Sequence, residues 1–363
     1  MRILLALPGL HRTERGAEIA FIAIASELER LGDTVTLIGS GPQLPGRPYR
    51  YIAAQSVARE RFEHFPTLPM LRSDTAWEEA SFLPGLLRHY KPSDYDVTLT
   101  CSFPFTNIAL RRPVFGGRRP PHIFVTQNGD WPALSSKAEY RLFGCEGLVC
   151  TNPEYFDRNA GRYRSALIPN GVDVSRFTCG ASEPEYFGFA RNQPIIVMVS
   201  ALIPSKNVAD GIRAVAELEN AMLVVAGDGP LRDDLHELAA RLLPGRYRQL
   251  RVAADDMPRL YRSADAFLHL SRDESFGNVF IEALACGTPI VAHDLPRTRW
   301  ILGDQANYVP KMEVRSIAEQ LGLALREKRT GRESRAEHAK RFSWLSVAKR
   351  YRDFLTEVVA AAK

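Results

Sequence analysis

Two kinds of hydrophobic pattern take turns along this chain. Short strand-like segments, most of them apolar, occur at Arg2 to Leu7, Val35 to Ile38, Val97 to Thr100, Ile123 to Thr126 and Leu148 to Cys150. They recur at Ile195 to Leu202, Met222 to Ala226, Leu250 to Ala253, Ala266 to Leu270 and Thr288 to Ala292. Ile195 to Leu202 is of continuous apolar character, as expected of a parallel strand covered on both faces. Between the strand-like segments lie others with apolar residues at helical spacing. Glu14 to Leu31 carries Ile19, Ile22, Ala23, Leu28 and Leu31 on one side, and Phe342 to Ala361 carries Trp344, Val347, Tyr351, Phe354 and Val358. Further helices are predicted after Gly227-Asp228-Gly229-Pro230, over Met257 to Ser263, over Asn278 to Cys286 and over Ser316 to Arg326. Strand, loop and helix in strict alternation predict parallel, doubly wound α/β sheets. Tyr51 to His89 has helical and irregular character that the pattern does not resolve.

At 363 residues the chain is long enough for two domains of ordinary size, each with its own core. Its hydrophobic and charged fractions are those of a water-soluble globular protein. The net charge of +5 suits an anionic small ligand, an acidic lipid surface or nucleic acid, and does not choose among them. Zinc spacing, RNA-binding aromatic motifs and basic heptad helices are absent from the sequence, which removes the common nucleic-acid modules. Cys101, Cys145, Cys150, Cys179 and Cys286 form no CxxC pair, so buried free thiols in a reducing cytoplasm are expected. Arg2 leads straight into a strand, and no signal peptide is expected ahead of it; no apolar run approaches a bilayer's width.

The densest chemistry lies in Asp273 to Asp294. A strand before it, a helix from Asn278 closed by Gly287, and a strand after it place Ser275, Phe276 and Gly277 at a helix start beyond the C-terminal end of a strand. The first N–H groups of a helix lack partners and sit at the positive end of its dipole, so this turn can receive a phosphate. Gly277 lets the ligand approach the backbone. Glu274 precedes the helix, and Glu282 lies one turn past Asn278, where a carboxylate can accept two hydrogen bonds from a ribose diol.

Glu274-Ser275-Phe276-Gly277, Glu282-Ala283, Ala285, Gly287 and Pro289-Ile290-Val291 resemble the E-x7-E motif of the family 4 retaining glycosyltransferases. Other segments resemble the same family. Arg15-Gly16-Ala17-Glu18 is similar to its G-G-x-E, with Arg15 in place of the first glycine. Ile168-Pro169-Asn170-Gly171-Val172-Asp173, followed by Phe177, is similar to the segment where the chain leaves the first domain, and Gly227 to Pro230 to its G-x-G-P turn. Lys206 matches the lysine of S-R-L-x-x-x-K, while Ala201 stands at its arginine. Gln127 stands where related enzymes carry a histidine; it can hydrogen-bond but cannot take a proton at neutral pH. The nearby Asp130 could act as a base or cap a helix or turn. Leu295 to Trp300 has no likeness to the family's G-G-x-x-E loop, and Arg272 and Arg299 are the arginines available near the lost cation. Arg111, Arg112, Arg118 and Arg119 read as a solvated basic loop or as a contact for an anionic membrane or phosphate-bearing acceptor.

The resemblance implies a GT-B fold: an acceptor-side Rossmann-like domain over 1–173, a nucleotide-sugar-binding Rossmann-like domain over 174–341, and a helix over 342–363 crossing back to the first, with the site in the cleft between the domains. It implies transfer of a sugar, with retention, from a nucleoside-diphosphate-sugar to a hydroxyl of a glycan, lipid or small-molecule acceptor in polysaccharide or glycoconjugate biosynthesis. Glu274, Lys206 and Gln127 would serve catalysis. Gly16, Lys206, Glu274, Ser275, Phe276, Gly277, Asn278 and Glu282 would hold the donor. No cofactor is expected beyond the donor, and no metal, since no D-x-D stands at a strand end. The expected location is the cytoplasm, with possible peripheral contact to the inner face of the membrane, and no nucleic-acid partner. The replacements at Ala201 and Gln127 leave two alternatives: a nucleotide-sugar-binding protein without transferase activity, or a nucleotide-sugar epimerase of the same architecture.

Overall fold

The computed structural model describes residues 1–112, 119–127, 129–130, 141–327 and 330–362. Arg118, Asn128 and Trp131 lie outside them. The chain divides into two compact units, Met1–Asn170 with Trp344–Lys363, and Gly171–Ser343.

The first unit is built on β1 (Arg2–Ala6), β2 (Thr34–Gly39), β3 (Arg50–Ala53), β4 (Val97–Thr100), β5 (His122–Val125), β6 (Gly147–Cys150) and β7 (Ser165–Leu167). They pair in parallel in the order β3-β2-β1-β4-β5-β6-β7. Ile3 faces Val35 on one side and Val97 on the other, so the sheet runs outward in both directions from β1 and β4. The helix Gly16–Arg30 covers one face through Ala17, Ala20, Phe21, Ile24 and Leu28. Ile19, placed on the apolar side by spacing alone, is 45% exposed, because the small residues Ala17 and Ala20 set the face that meets the sheet. The last helix, Trp344–Ala361, joins the same core with Val347, Tyr351, Phe354, Leu355 and Val358. Arg352 pairs with the buried Asp33 at 3.1 Å, which also holds the N-terminal ammonium at 2.7 Å.

The second unit carries β8 (Ile195–Val199), β9 (Met222–Ala226), β10 (Tyr247–Leu250), β11 (Ala266–His269), β12 (Ile290–His293) and β13 (Ala306–Val309) in the parallel order β10-β9-β8-β11-β12-β13. Strand order reverses between β8 and β11, and in open α/β sheets ligands bind beyond the C-terminal ends at such a reversal. The loops after these two strands carry Lys206 and Glu274.

Two expectations need correction here. The strand expected over Ile195 to Leu202 stops at Val199, because Ser200 and Leu202 turn their N–H groups to Ala226 O and Asp228 O. The strand expected over Leu250 to Ala253 is instead Tyr247–Leu250, an edge strand whose half-solvated face leaves no continuous apolar run.

The turn Gly227 to Pro230 fixes the start of the Lys206 loop by close backbone contact. Gly227 has φ +155°, and a Cβ there would stand 1.9 Å from Ser200 O; one at Gly229 would stand 2.6 Å from Leu202 O. Gly227→Ala combines a disfavoured backbone conformation with a clash against main chain. It should destabilise the second unit by about 3 kcal/mol, read from urea unfolding. A loss below roughly 1 kcal/mol would mean the two loops do not depend on this contact.

Candidate active site

Lys206 closes a short 3-10 turn, Pro204–Lys206, followed by Asn207 in a left-handed conformation (φ 52°). Asn207 Nδ2 donates to Leu270 O at 2.9 Å and Arg272 N to Ser205 O at 3.1 Å, tying the two loops of the reversal together. Lys206 Nζ donates to Ser271 Oγ and Asp273 O, both at 3.3 Å, and to Glu274 Oε1. All three ammonium hydrogens are therefore engaged, two of them in long contacts that a phosphate oxygen can replace.

Glu274 is the centre of the constellation. Beyond Lys206, its Oε1 accepts from His269 Nε2–H at 3.1 Å; a carboxylate partner assigns that ring hydrogen to Nε2. Burial works against the charged form, but the His269 hydrogen bond and charge, with Lys206 behind them, outweigh it and hold the carboxyl at about 2. Glu274 is thus an anion at any physiological pH, suited to accept hydrogen bonds from sugar hydroxyls. Its backbone oxygen accepts from Arg297 Nη1 at 2.7 Å.

The helix Asn278–Ala285 begins at Gly277, whose φ of +96° belongs to the region that favours glycine; a Cβ there would meet the Phe280 ring at 2.8 Å. Phe276 is buried edge-on against Trp300 and Phe342, so its side chain belongs to the core and cannot itself contact a ligand. Ser275 and Asn278 both have partners within the protein. Glu282, one turn along, accepts from Tyr261 OH at 2.8 Å through Oε2. Burial raises its pKa, against the opposing Tyr261 hydrogen bond and the charge of Arg176. The Oε1 atom makes no hydrogen bond among the described residues. Arg176 also donates to Ala254 O, which joins it to the loop before Met257.

Gly16 and Gln127 belong to the first unit. Gly16 is the exposed first residue of its helix. The neighbouring Arg15, at the position of the family's first glycine, spans Glu60 at 3.2 Å, Glu78 at 3.8 Å and Glu18 at 3.9 Å. Gln127 is buried and forms a reciprocal amide pair with Asn170: its Nε2 donates to Asn170 Oδ1, and Asn170 Nδ2 donates back at 3.0 Å. Asp130 takes Asn159 Nδ2 at 2.7 Å and pairs with Arg158 at 3.0 Å, a role in joining a loop to a helix. The basic loop turns inward where it is described: Arg119 donates to the carbonyls of Ala109 and Arg111, and Arg112 to Arg119 O. Cys101, Cys150 and Cys286 are buried, whereas Cys179 is exposed, against the expectation for it.

His269, Tyr261, Arg176 and Arg297 were not picked out by pattern. His269 had a signal, a polar residue ending an apolar strand just before Glu274. Tyr261 and Arg297 had none, since each reaches its partner from a separate helix.

The two parallel α/β units define the class: this is the GT-B fold. It matches that of Anabaena Alr3699/HepE, solved in complex with UDP and glucose, with a TM-score of 0.72 over 98% of this chain and 99% of that one, at 20% identity. Residues 182–342, nearly all of the second unit, match the family model described as "Glycosyl transferases group 1". The chain is 32% identical over 242 residues to the D-inositol 3-phosphate glycosyltransferase of Mycobacteroides abscessus, covering 60% of this chain and 53% of that protein. It is 27% identical over 296 residues to the lipopolysaccharide core biosynthesis glycosyltransferase LpsE of Rhizobium meliloti, covering 80% and 79%. The chain thus spans about half the length of the first of these relatives. No helix among the described residues is long and apolar enough to cross a membrane.

Proposed function

We propose that the protein is a glycosyltransferase that moves a sugar from a nucleoside-diphosphate-sugar to an acceptor hydroxyl, with retention at the anomeric carbon. The observation that carries this reading is the joining of Lys206, Glu274 and His269 at the strand reversal, with Glu282 one helical turn beyond. Cleavage of the glycosidic bond builds charge on the departing diphosphate. Lys206, exchanging its two long contacts for phosphate oxygens, and the N–H groups from Ser275 to Asn278 would meet that charge. Glu274, ionised and fixed by two partners, would accept hydrogen bonds from the donor sugar and orient its anomeric carbon. The unpaired Oε1 of Glu282 would take the ribose hydroxyls. Gly16 would lend its backbone to the donor. Gln127 would reach the sugar only by releasing Asn170. Among the described residues no D-x-D stands at the C-terminal end of a strand, which supports a reaction in which these groups, not a divalent ion, stabilise the leaving group; activity should then persist in EDTA. The relatives' names fit acceptors carrying sugar or inositol hydroxyls in glycoconjugate assembly, and the work would be done in the cytoplasm or at the inner membrane surface.

A thermal-shift series with UDP, GDP, ADP and dTDP and their sugars tests the donor half. A cognate nucleotide at a hundred times its dissociation constant should add about 2.7 kcal/mol of apparent stability. Glu282→Ala should abolish most of that shift. If no nucleotide shifts the wild type, the transferase reading fails. If one binds but no acceptor ever consumes its sugar, a binding protein is the better description.

A further inference from the structure

The loop from Ser271 to Glu274 gathers positive charge that its own acids do not cancel. Lys206 lies against it, already shared with Glu274. Arg297 is only 6% exposed and straps the loop from below, donating to Glu274 O at 2.7 Å and Arg272 O at 3.4 Å, with no carboxylate in ion-pair reach among the described residues. A buried guanidinium bound only to carbonyls leaves its charge acting on whatever the loop faces. Arg272 itself is exposed, and its guanidinium makes no hydrogen bond or ion pair among the described residues. Its main chain, by contrast, is pinned on both sides, N–H to Ser205 O and C=O to Arg297. The His293 ring at the end of β12 is held below its ordinary pKa first by burial and next by the charge of Arg272, so the two groups act on one another. The competing arginine is spent: Arg299 makes a two-pronged pair with Asp294 at 2.6 and 2.8 Å and lies over the Tyr308 ring. Against Lys206, Arg272 and Arg297 stand Glu274 and the exposed Asp273, an excess of one positive charge.

We propose that Arg272 is the second cation of the diphosphate site, entering from the loop after β11 in place of the arginine missing at Ala201 after β8. The ligand is the pyrophosphate of a nucleoside diphosphate or its sugar, which the Arg272 fork would grip beside Lys206. Arg297 is the positioning residue that fixes the carbonyls of Arg272 and Glu274 and so aims both side chains. A guanidinium matches phosphate oxygens in pairs where an ammonium offers a point charge, so the two cations are complementary rather than redundant. This assignment rests on the nucleotide-sugar reading above.

The test is calorimetric titration of the full-length chain with UDP, GDP and ADP and with the monophosphate of whichever base binds. Arg272→Ala should weaken the diphosphate about 10- to 100-fold, the range of a lost charge-assisted contact, and the monophosphate by less than about threefold. Arg272→Lys should fall between, and Arg299→Ala should stay within about twofold of wild type. Unchanged thermal unfolding of unliganded Arg272→Ala would verify the fold, since the side chain holds nothing in place. If the diphosphate binds wild type and Arg272→Ala equally, or if both phosphorylated forms lose the same factor, Arg272 is not the second cation and the transferase reading stands. If no diphosphate binds the wild type, that reading falls and this site with it.

Discussion

Lys206→Met should lower kcat/KM for sugar transfer by roughly a thousandfold, the scale of losing a preorganised charge at a leaving group. Methionine keeps the apolar stem and removes only the ammonium, so the effect reports charge rather than packing. The side chain is 13% exposed and fixed by three contacts on the loop after β11, so little of its attraction is dissipated in water. Because the charge acts on both bound donor and departing diphosphate, nucleotide affinity should fall as well as kcat. The measurement is steady-state turnover with a donor and acceptor that the wild type uses, alongside titration with the free diphosphate. A loss under about tenfold in turnover would remove Lys206 from the catalytic set.

Glu274→Gln should have a different signature: kcat lower by about a hundredfold or more, with diphosphate affinity kept or improved. The amide preserves shape but is a weaker acceptor for sugar hydroxyls, which costs orientation. It also removes the anion that now competes for Lys206, freeing that ammonium for phosphate. Parallel losses in nucleotide affinity and kcat would instead make Glu274 a structural brace. The pH behaviour adds an independent check. The folded carboxyl titrates at about 2, below its ordinary 4.5, so its pairing stabilises the second unit at neutral pH and that contribution disappears as pH falls through both values. The stability difference between wild type and Glu274→Gln should therefore shrink on acidification below about pH 4, while wild-type kcat shows no acidic limb from this group across roughly pH 5 to 9.

What could be read without coordinates follows from where each residue gets its neighbours. Interior strands such as β1, β8, β9 and β11 announce themselves as apolar runs, because a strand covered on both faces has no solvated side to show. The edges β3, β7, β10 and β13 were missed or misplaced for the converse reason: one side is solvated, and Arg50-Tyr51-Ile52-Ala53 or Tyr247-Arg248-Gln249-Leu250 carries no strong pattern. The helix Asp74–His89 was hidden by Pro84 within it and by the mixed character of its flanks.

The candidate site divides along the same line. By itself the sequence determined the parallel α/β character and the places of Gly277, Glu274, Glu282 and Lys206, since each belongs to a contiguous turn whose backbone demands are local. Only the tertiary structure decided that Lys206 and Glu274 touch, that His269 shares the same carboxylate oxygen, that Tyr261 holds Glu282, that Asn170 occupies Gln127, and that Arg272 remains available while Arg299 does not. Those facts depend on strand order. β8 and β11 are separated by two intervening strand-helix units in sequence but are neighbours in the sheet, and hydrogen bonds and ion pairs depend on distance in space rather than along the chain.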